Sequence, residues 1–147
     1  MINTISVYNV RRIVMGPIFM NILVVDDEKM LVDSIAEQLG SYDAIKRVIK
    51  AYDGAEAIQK LSNQKFDIVI LDIDMPKKGG LDILKMIGTE EEFVGTSVLM
   101  ISGNFTPEAI KQASLHTKYF LAKPFKVQNL KEKLGQILLD RKKSVLV

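Results

Sequence analysis

The chain has 147 residues, 48% of them apolar, with 20 Lys and Arg against 18 Asp and Glu and a formal net charge of +2. That length suits one domain with a real core, and the charge is too mild to point to nucleic acid. There is no Cys, which excludes disulfides and thiolate metal sites, and no apolar run is long enough to span a membrane.

The opening stretch, MINTISVYNVRRIVMGPIFM, is apolar but broken by Arg11, Arg12, Gly16 and Pro17. A signal peptide carries its positive charge ahead of the apolar run and ends on small residues. Here the arginines sit inside the run and Ile18, Phe19 and Met20 close it, so a signal peptide is rejected. Residues 1–19 stand as an N-terminal extension of unassigned role. Either Met15 or Met20 is the start, or the segment is an arm packing on the domain or on a partner.

From Asn21 the pattern alternates. Ile22–Val25 reads as a buried strand, and Leu31, Ile35 and Leu39 form a helical stripe over Glu28–Leu39 that Gly40 is placed to stop. Ala44–Ala51 is a second strand. Asp53 can cap a second helix through Ala55, Ile58 and Leu61. Phe66–Leu71 is apolar enough for a central strand, and Leu81–Ile87 is a third helix. Ser97–Ile101 is the fourth strand, followed by a helix with Thr106 as cap and Pro107 at its first position. Lys118–Ala122 is the fifth strand and Val127–Leu138 the last helix. Strict strand–helix alternation means an α/β fold: parallel strands, right-handed crossovers, helices on both faces.

Ligands of such sheets bind beyond the carboxyl ends of the strands. The residues delivered there are Asp26 and Asp27 from the first strand, Asp72 and Asp74 from the third, Ser102 from the fourth, and Lys123 from the fifth. Carboxylates crowded together repel and raise one another's pKa unless a cation shares the space. With neither His nor Cys in the set, an all-oxygen site suits Mg²⁺, Mn²⁺ or Ca²⁺. A lysine and a hydroxyl opposite the metal make a phosphoryl cradle, and a central carboxylate can attack phosphorus.

In order and spacing, LVVDDE, VILDIDMPKKGGLDIL, VLMISG and YFLAKPF resemble the motifs of response-regulator receiver domains of two-component signalling, over about residues 20–140. The resemblance implies a doubly wound (βα)5 flavodoxin-like sandwich with strand order 2-1-3-4-5. It makes Asp72 the phosphoacceptor for a phosphohistidine of a sensor histidine kinase or phosphotransfer protein. Asp26, Asp27, Asp72 and the backbone carbonyl of Asp74 would hold Mg²⁺, with Mn²⁺ as the alternative. Lys123 would pair with the phosphoryl group and Ser102 would bond it in the active state. Phe120 takes the switch-aromatic position and, without a hydroxyl, works by packing alone. Asp74 and Asn104 stand where the family tunes dephosphorylation. The Lys123–Pro124 bond is expected cis. The switched face would be the fourth helix, fifth strand and fifth helix, contacting a downstream output protein or a second copy in a phosphorylation-dependent homodimer. A cytoplasmic switch with neither nucleic-acid nor membrane contact is expected, regulatory rather than a turnover enzyme.

Two alternatives stand beside this reading. Asp72-Ile73-Asp74 also resembles the DxD motif of haloacid-dehalogenase-type phosphatases, although that family places DxD on its first strand and the acidic pair later. A pseudo-receiver that binds without phosphorylation is the other, set against retention of every acid and the lysine. Taken singly, Asp26 and Asp27 could be a helix-terminal acidic pair, and Lys123 a surface lysine; their joint register favours a site. His116 is the only histidine and, lying before the fifth strand, is expected to be solvated or to cap. Arg141, Lys142 and Lys143 are read as a solvated helix end within a short basic tail, 141–147. Residues after Asp140 are too few for a helix-turn-helix, so the chain acts either alone or as a piece of a longer protein.

Overall fold

The computed structural model describes residues 19–146, with side chains through 143; the expectations for 1–18 lie outside that range. In chain order the elements are β1 (Met20–Val25), α1 (Lys29–Gly40), β2 (Ile45–Ala51), α2 (Gly54–Asn63), β3 (Ile68–Asp72), α3 (Gly80–Thr89), β4 (Ser97–Ser102), α4 (Pro107–Ala113), β5 (Tyr119–Ala122) and α5 (Val127–Leu146), with a 3₁₀ turn at Glu91–Phe93. All strand pairs are parallel, in the order β2-β1-β3-β4-β5, which is the expected arrangement.

Because strand side chains alternate, each buried strand feeds two cores. Leu23, Val25, Val69, Leu71 and Met100 face one layer with Ala57, Leu61, Ile83, Leu84 and Ala113 of α2, α3 and α4. Ile22, Val24, Ile68, Ile70, Leu99 and Ile101 face the other with Val32, Ile35, Leu39, Leu130, Leu134 and Ile137 of α1 and α5. Both faces of the central strands are sealed, which is why their sequences run apolar without alternation. Full burial of each such Leu or Ile side chain stabilises by about 1.5–3 kcal/mol.

Local signals set the helix starts. Asp53 accepts from the Glu56 backbone N–H at 2.8 Å and Thr106 from that of Ala109 at 3.1 Å, and Pro107 opens α4 as expected. Strands β3 and β4 each run one residue further than their apolar runs suggest. Asp72 pairs with Ile101 in the ladder, and Ser102 pairs with Ala122. The polar residues are thus the last rungs of the sheet, held by backbone pairing rather than carried on a loop.

The last helix overshoots its expected end at Leu138 and runs to Leu146. Arg141 is not part of a solvated end. Its Nη1 donates to the carbonyls of Asp67 (3.1 Å) and Gly95 and to Ser97 Oγ (3.1 Å), and Nη2 pairs with Asp67 Oδ1 at 3.4 Å. Asp67 in turn accepts from the Asn21 N–H at 2.8 Å. One guanidinium therefore ties the helix to the amino ends of β3 and β4.

Candidate functional site

At the opposite end of the sheet, β1 delivers Asp26, β3 delivers Asp72 and β4 delivers Ser102. All three are buried polar residues, 0%, 2% and 0% exposed. Burying charge is costly unless it is compensated, and Lys123, just after β5, supplies part of the compensation. Its Nζ lies 2.6 Å from Asp26 Oδ2, 3.0 Å from Glu28 Oε1 and 3.5 Å from Asp72 Oδ1. The Lys123 N–H donates to the Ser102 carbonyl at 2.8 Å, which fixes the lysine beside the serine. The Lys123–Pro124 peptide is cis.

The electrostatics follow from this crowding. Burial, then the Asp26 charge, pushes the Asp72 carboxyl up to about 6, against the opposing pull of Lys123. Burial likewise raises Asp26, with Lys123 and the Glu28 N–H (3.0 Å) opposing. Burial alone would lower the Lys123 ammonium; its contacts with Asp26 and Glu28 and the Asp72 charge outweigh that and hold it raised.

Carboxylate oxygens of Asp26, Asp27 and Asp72 all lie within 4.8 Å of one another. Asp26 Oδ2 and Asp72 Oδ1 are buried and make no aligned hydrogen bond; they meet only the lysine charge. Hard oxygen donors with unspent lone pairs, and no nitrogen or sulfur among them, fit a divalent cation of the magnesium type. Asp27 is exposed at the rim, where it can serve such an ion directly or through water.

Ser102 Oγ donates to Asp74 Oδ2 at 2.7 Å and accepts from the Asn104 N–H at 3.0 Å. Asp74 itself is exposed. Phe120 is half-buried on β5 and meets Phe105 of the β4–α4 loop edge-to-face, with ring centroids 5.7 Å apart. The predicted residues Asp26, Asp27, Asp72, Asp74, Ser102, Asn104 and Lys123 thus gather at one end of the sheet. Phe120 sits two residues before the end of β5, paired with Met100, and meets the loop through Phe105.

A sequence profile described as the response regulator receiver domain matches residues 22–135. The chain belongs to that family. Among its relatives, the receiver is 35% identical over 122 residues to the chemotaxis protein CheY-3 of Vibrio cholerae, covering 80% of this chain and 91% of that one. It is 32% identical over 119 residues to a protein-glutamate methylesterase/protein-glutamine glutaminase of Syntrophomonas wolfei, covering 81% of this chain and 31% of that protein. Among solved structures, CheY4 of Vibrio cholerae superposes with a TM-score of 0.72 at 28% identity, over 81% of this chain and 98% of that one. A CheY-like receiver of Methanospirillum hungatei gives 0.76 at 23% identity, over 86% and 98%, a likeness of fold. The phosphatase alternative is set aside: Asp72-Ile73-Asp74 lies at the end of the third strand, and the profile covers the receiver motifs in their own order.

Sequence reading missed three contacts. Glu28 reaches Lys123, although its place beside the acidic pair was a usable signal. The Asp74–Ser102 bond joins positions 28 residues apart, and nothing in one sequence links them. His116 is half-exposed after the end of α4, and its ring packs over Gly88 so closely that a Cβ there would lie 2.5 Å from Nδ1.

Proposed function

We propose that this receiver accepts a phosphoryl group on Asp72 from a phosphohistidine of a histidine kinase or phosphotransfer protein. The supporting observation is the placement of a buried Asp72 carboxylate on the last rung of β3, beside one lysine, one hydroxyl and two further Asp carboxylates. Asp26, Asp27, Asp72 and the Asp74 backbone carbonyl are the groups that would hold Mg²⁺, with Mn²⁺ as the alternative. The ion supplies positive charge to the phosphoryl oxygens and to the acidic cluster when bound. An Asp72 oxygen attacks phosphorus, the P–N bond breaks, and its electron pair returns to the imidazole of the donor. The Lys123 ammonium, already held among carboxylates, faces the anionic phosphoryl oxygens, and Ser102 Oγ is the neutral donor.

The dianion so formed redistributes the contacts of Ser102 and Lys123. Since Ser102 leads into the loop carrying Phe105, and Phe105 packs on Phe120, a shift of the loop is felt on β5. The face made by α4, β5 and α5 then changes its affinity for an output protein or a second copy. Release of phosphate from Asp72 is governed in this reading by Asp74 and Asn104. No helix among the described residues is long and apolar enough to cross a membrane, in keeping with a cytoplasmic switch.

The test is phosphorylation with acetyl phosphate or a kinase panel in the presence of Mg²⁺. One phosphoryl group per chain is expected, lost in Asp72→Ala and in EDTA. Label persisting on Asp72→Ala would sink the assignment. Absence of labelling in the parent chain would instead favour a non-phosphorylated binding module.

A further inference from the structure

A serine hydroxyl carries one hydrogen, so it donates one hydrogen bond at a time. In this structure that hydrogen is spent on Asp74 Oδ2 at 2.7 Å, a short contact in which the acceptor is a carboxylate. One lone pair of the oxygen is engaged as well, by the Asn104 N–H at 3.0 Å. Ser102 is fully buried whereas Asp74 reaches it from the exposed rim, so the bond closes over the serine from outside. A phosphoryl group on Asp72 needs the same hydrogen. Two anions, the Asp74 carboxylate and the phosphoryl group, compete for one donor.

We infer that Asp74 is a positioning residue that latches Ser102 in the resting state, so that binding of a phosphoryl-like anion at Asp72 must first exchange the Asp74 hydrogen bond. This rests on the function proposed above and assigns Asp74 a role through Ser102 rather than through water. A carboxylate near the site also repels an incoming anion, with or without Ser102. That repulsion persists when the Ser102 hydroxyl is removed, so a Ser102→Ala background isolates it; Glu28, 3.0 Å from Lys123, holds the lysine rather than Ser102.

The experiment is a double-mutant cycle on the full chain, with beryllofluoride and Mg²⁺ as probe and ¹⁹F resonance intensity of the bound anion as readout. Asp74→Ala should tighten beryllofluoride binding about tenfold in the parent background, the scale of one charge-assisted hydrogen bond. In a Ser102→Ala background the same substitution should tighten it by less than about threefold, leaving a clear coupling between the two positions. Asp74→Asn, which keeps the shape and loses the charge, should fall between. Glu28→Gln, which frees Lys123 rather than Ser102, should shift binding by the same factor with or without Ser102. If the Ser102→Ala chain does not fold, the contrast of Asp74→Ala with Asp74→Asn in the parent background carries the comparison, since Asn keeps an acceptor for the Ser102 hydroxyl and loses only the charge. Equal tightening by Asp74→Ala in both backgrounds, or by Asp74→Ala and Asp74→Asn alike, would overturn the latch while leaving the phosphoacceptor site standing. Failure of the parent chain to bind beryllofluoride at all would overturn both.

Discussion

Asp72 is held at some expense to the fold. Its carboxyl sits at about 6 because burial and the Asp26 charge oppose ionisation, against about 3.9 in an unfolded chain. Between those values the native state binds more protons than the unfolded one. In metal-free solution the contribution of this group therefore rises as pH falls from about 7 towards 4, where an ordinary salt-bridged Asp would lose stability. Asp26, raised for the same first reason, acts in the same direction. Asp72→Asn should stabilise the metal-free protein at pH 7 by about 1–3 kcal/mol and flatten its pH dependence. Urea unfolding in EDTA at pH 7.5 and 5.5 checks both; an Asp72→Asn variant less stable than the parent at pH 7.5 would refute it. Asp140 behaves oppositely. The Tyr119 hydroxyl, at 2.6 Å, holds its carboxyl low, so its contribution is present at neutral pH and is lost as pH drops below the usual carboxylate range.

At the level of elements, the end of α5 and the amino ends of β3 and β4 stand together through Arg141. Its fork meets the Asp67 and Gly95 carbonyls and Ser97 Oγ. Arg141→Ala should cost about 1–3 kcal/mol, and Arg141→Lys should recover little of it, since one ammonium cannot reproduce a planar fork. Lys143→Ala, on the exposed side of the same turn, should lie within about 0.5 kcal/mol of the parent. Thermal or urea melts of the three variants decide the point. The same helix shows where the sequence was legible. Val127, Leu130, Leu134 and Leu138 carry a helical stripe, and it locates α5 correctly. Beyond Leu138 the stripe stops, because the helix there is held by a polar contact with residues 74 positions away. Periodicity reports burial of apolar faces, not acceptors supplied by distant strands. For the same reason the apolar runs end β3 and β4 one residue short: Asp72 and Ser102 are polar, yet they pair in the ladder.

Across the whole molecule, the strand order carries Asp26, Asp72, Ser102 and Lys123, drawn from four strand ends, into one cluster. The alternation of strands and helices predicted this convergence, and the residue types predicted a cluster of oxygen donors. What stayed hidden was who holds whom: Lys123 with Glu28, Ser102 with Asp74. If Mg²⁺ binds the acidic cluster, it stabilises only the folded chain, and the melting temperature should climb with ion concentration. Asp27→Ala should weaken that climb, and Asp72→Ala should largely remove it. Under beryllofluoride, amide shifts should extend from the site through Phe105 to Phe120 and spare α1 and β2. Shifts confined to the immediate surroundings of Asp72 would argue against transmission through the ring pair. Phe120→Leu should shrink the distant shifts while leaving binding of the anion unchanged.

Gly80 opens α3 directly behind the end of β3, and a Cβ at that position would lie 2.0 Å from the Asp72 carbonyl oxygen. No side chain fits there without moving the backbone of Asp72 itself. The distance between that strand end and the following helix is thus set by bare main chain, and no side chain at position 80 can adjust it. Asp74, Asn104 and Glu28, by contrast, are all exposed, where a substitution costs the packing of the core little. In the function proposed above, changes to the lifetime of the signal are therefore open at the rim, one residue at a time, while the scaffold beneath stays constant.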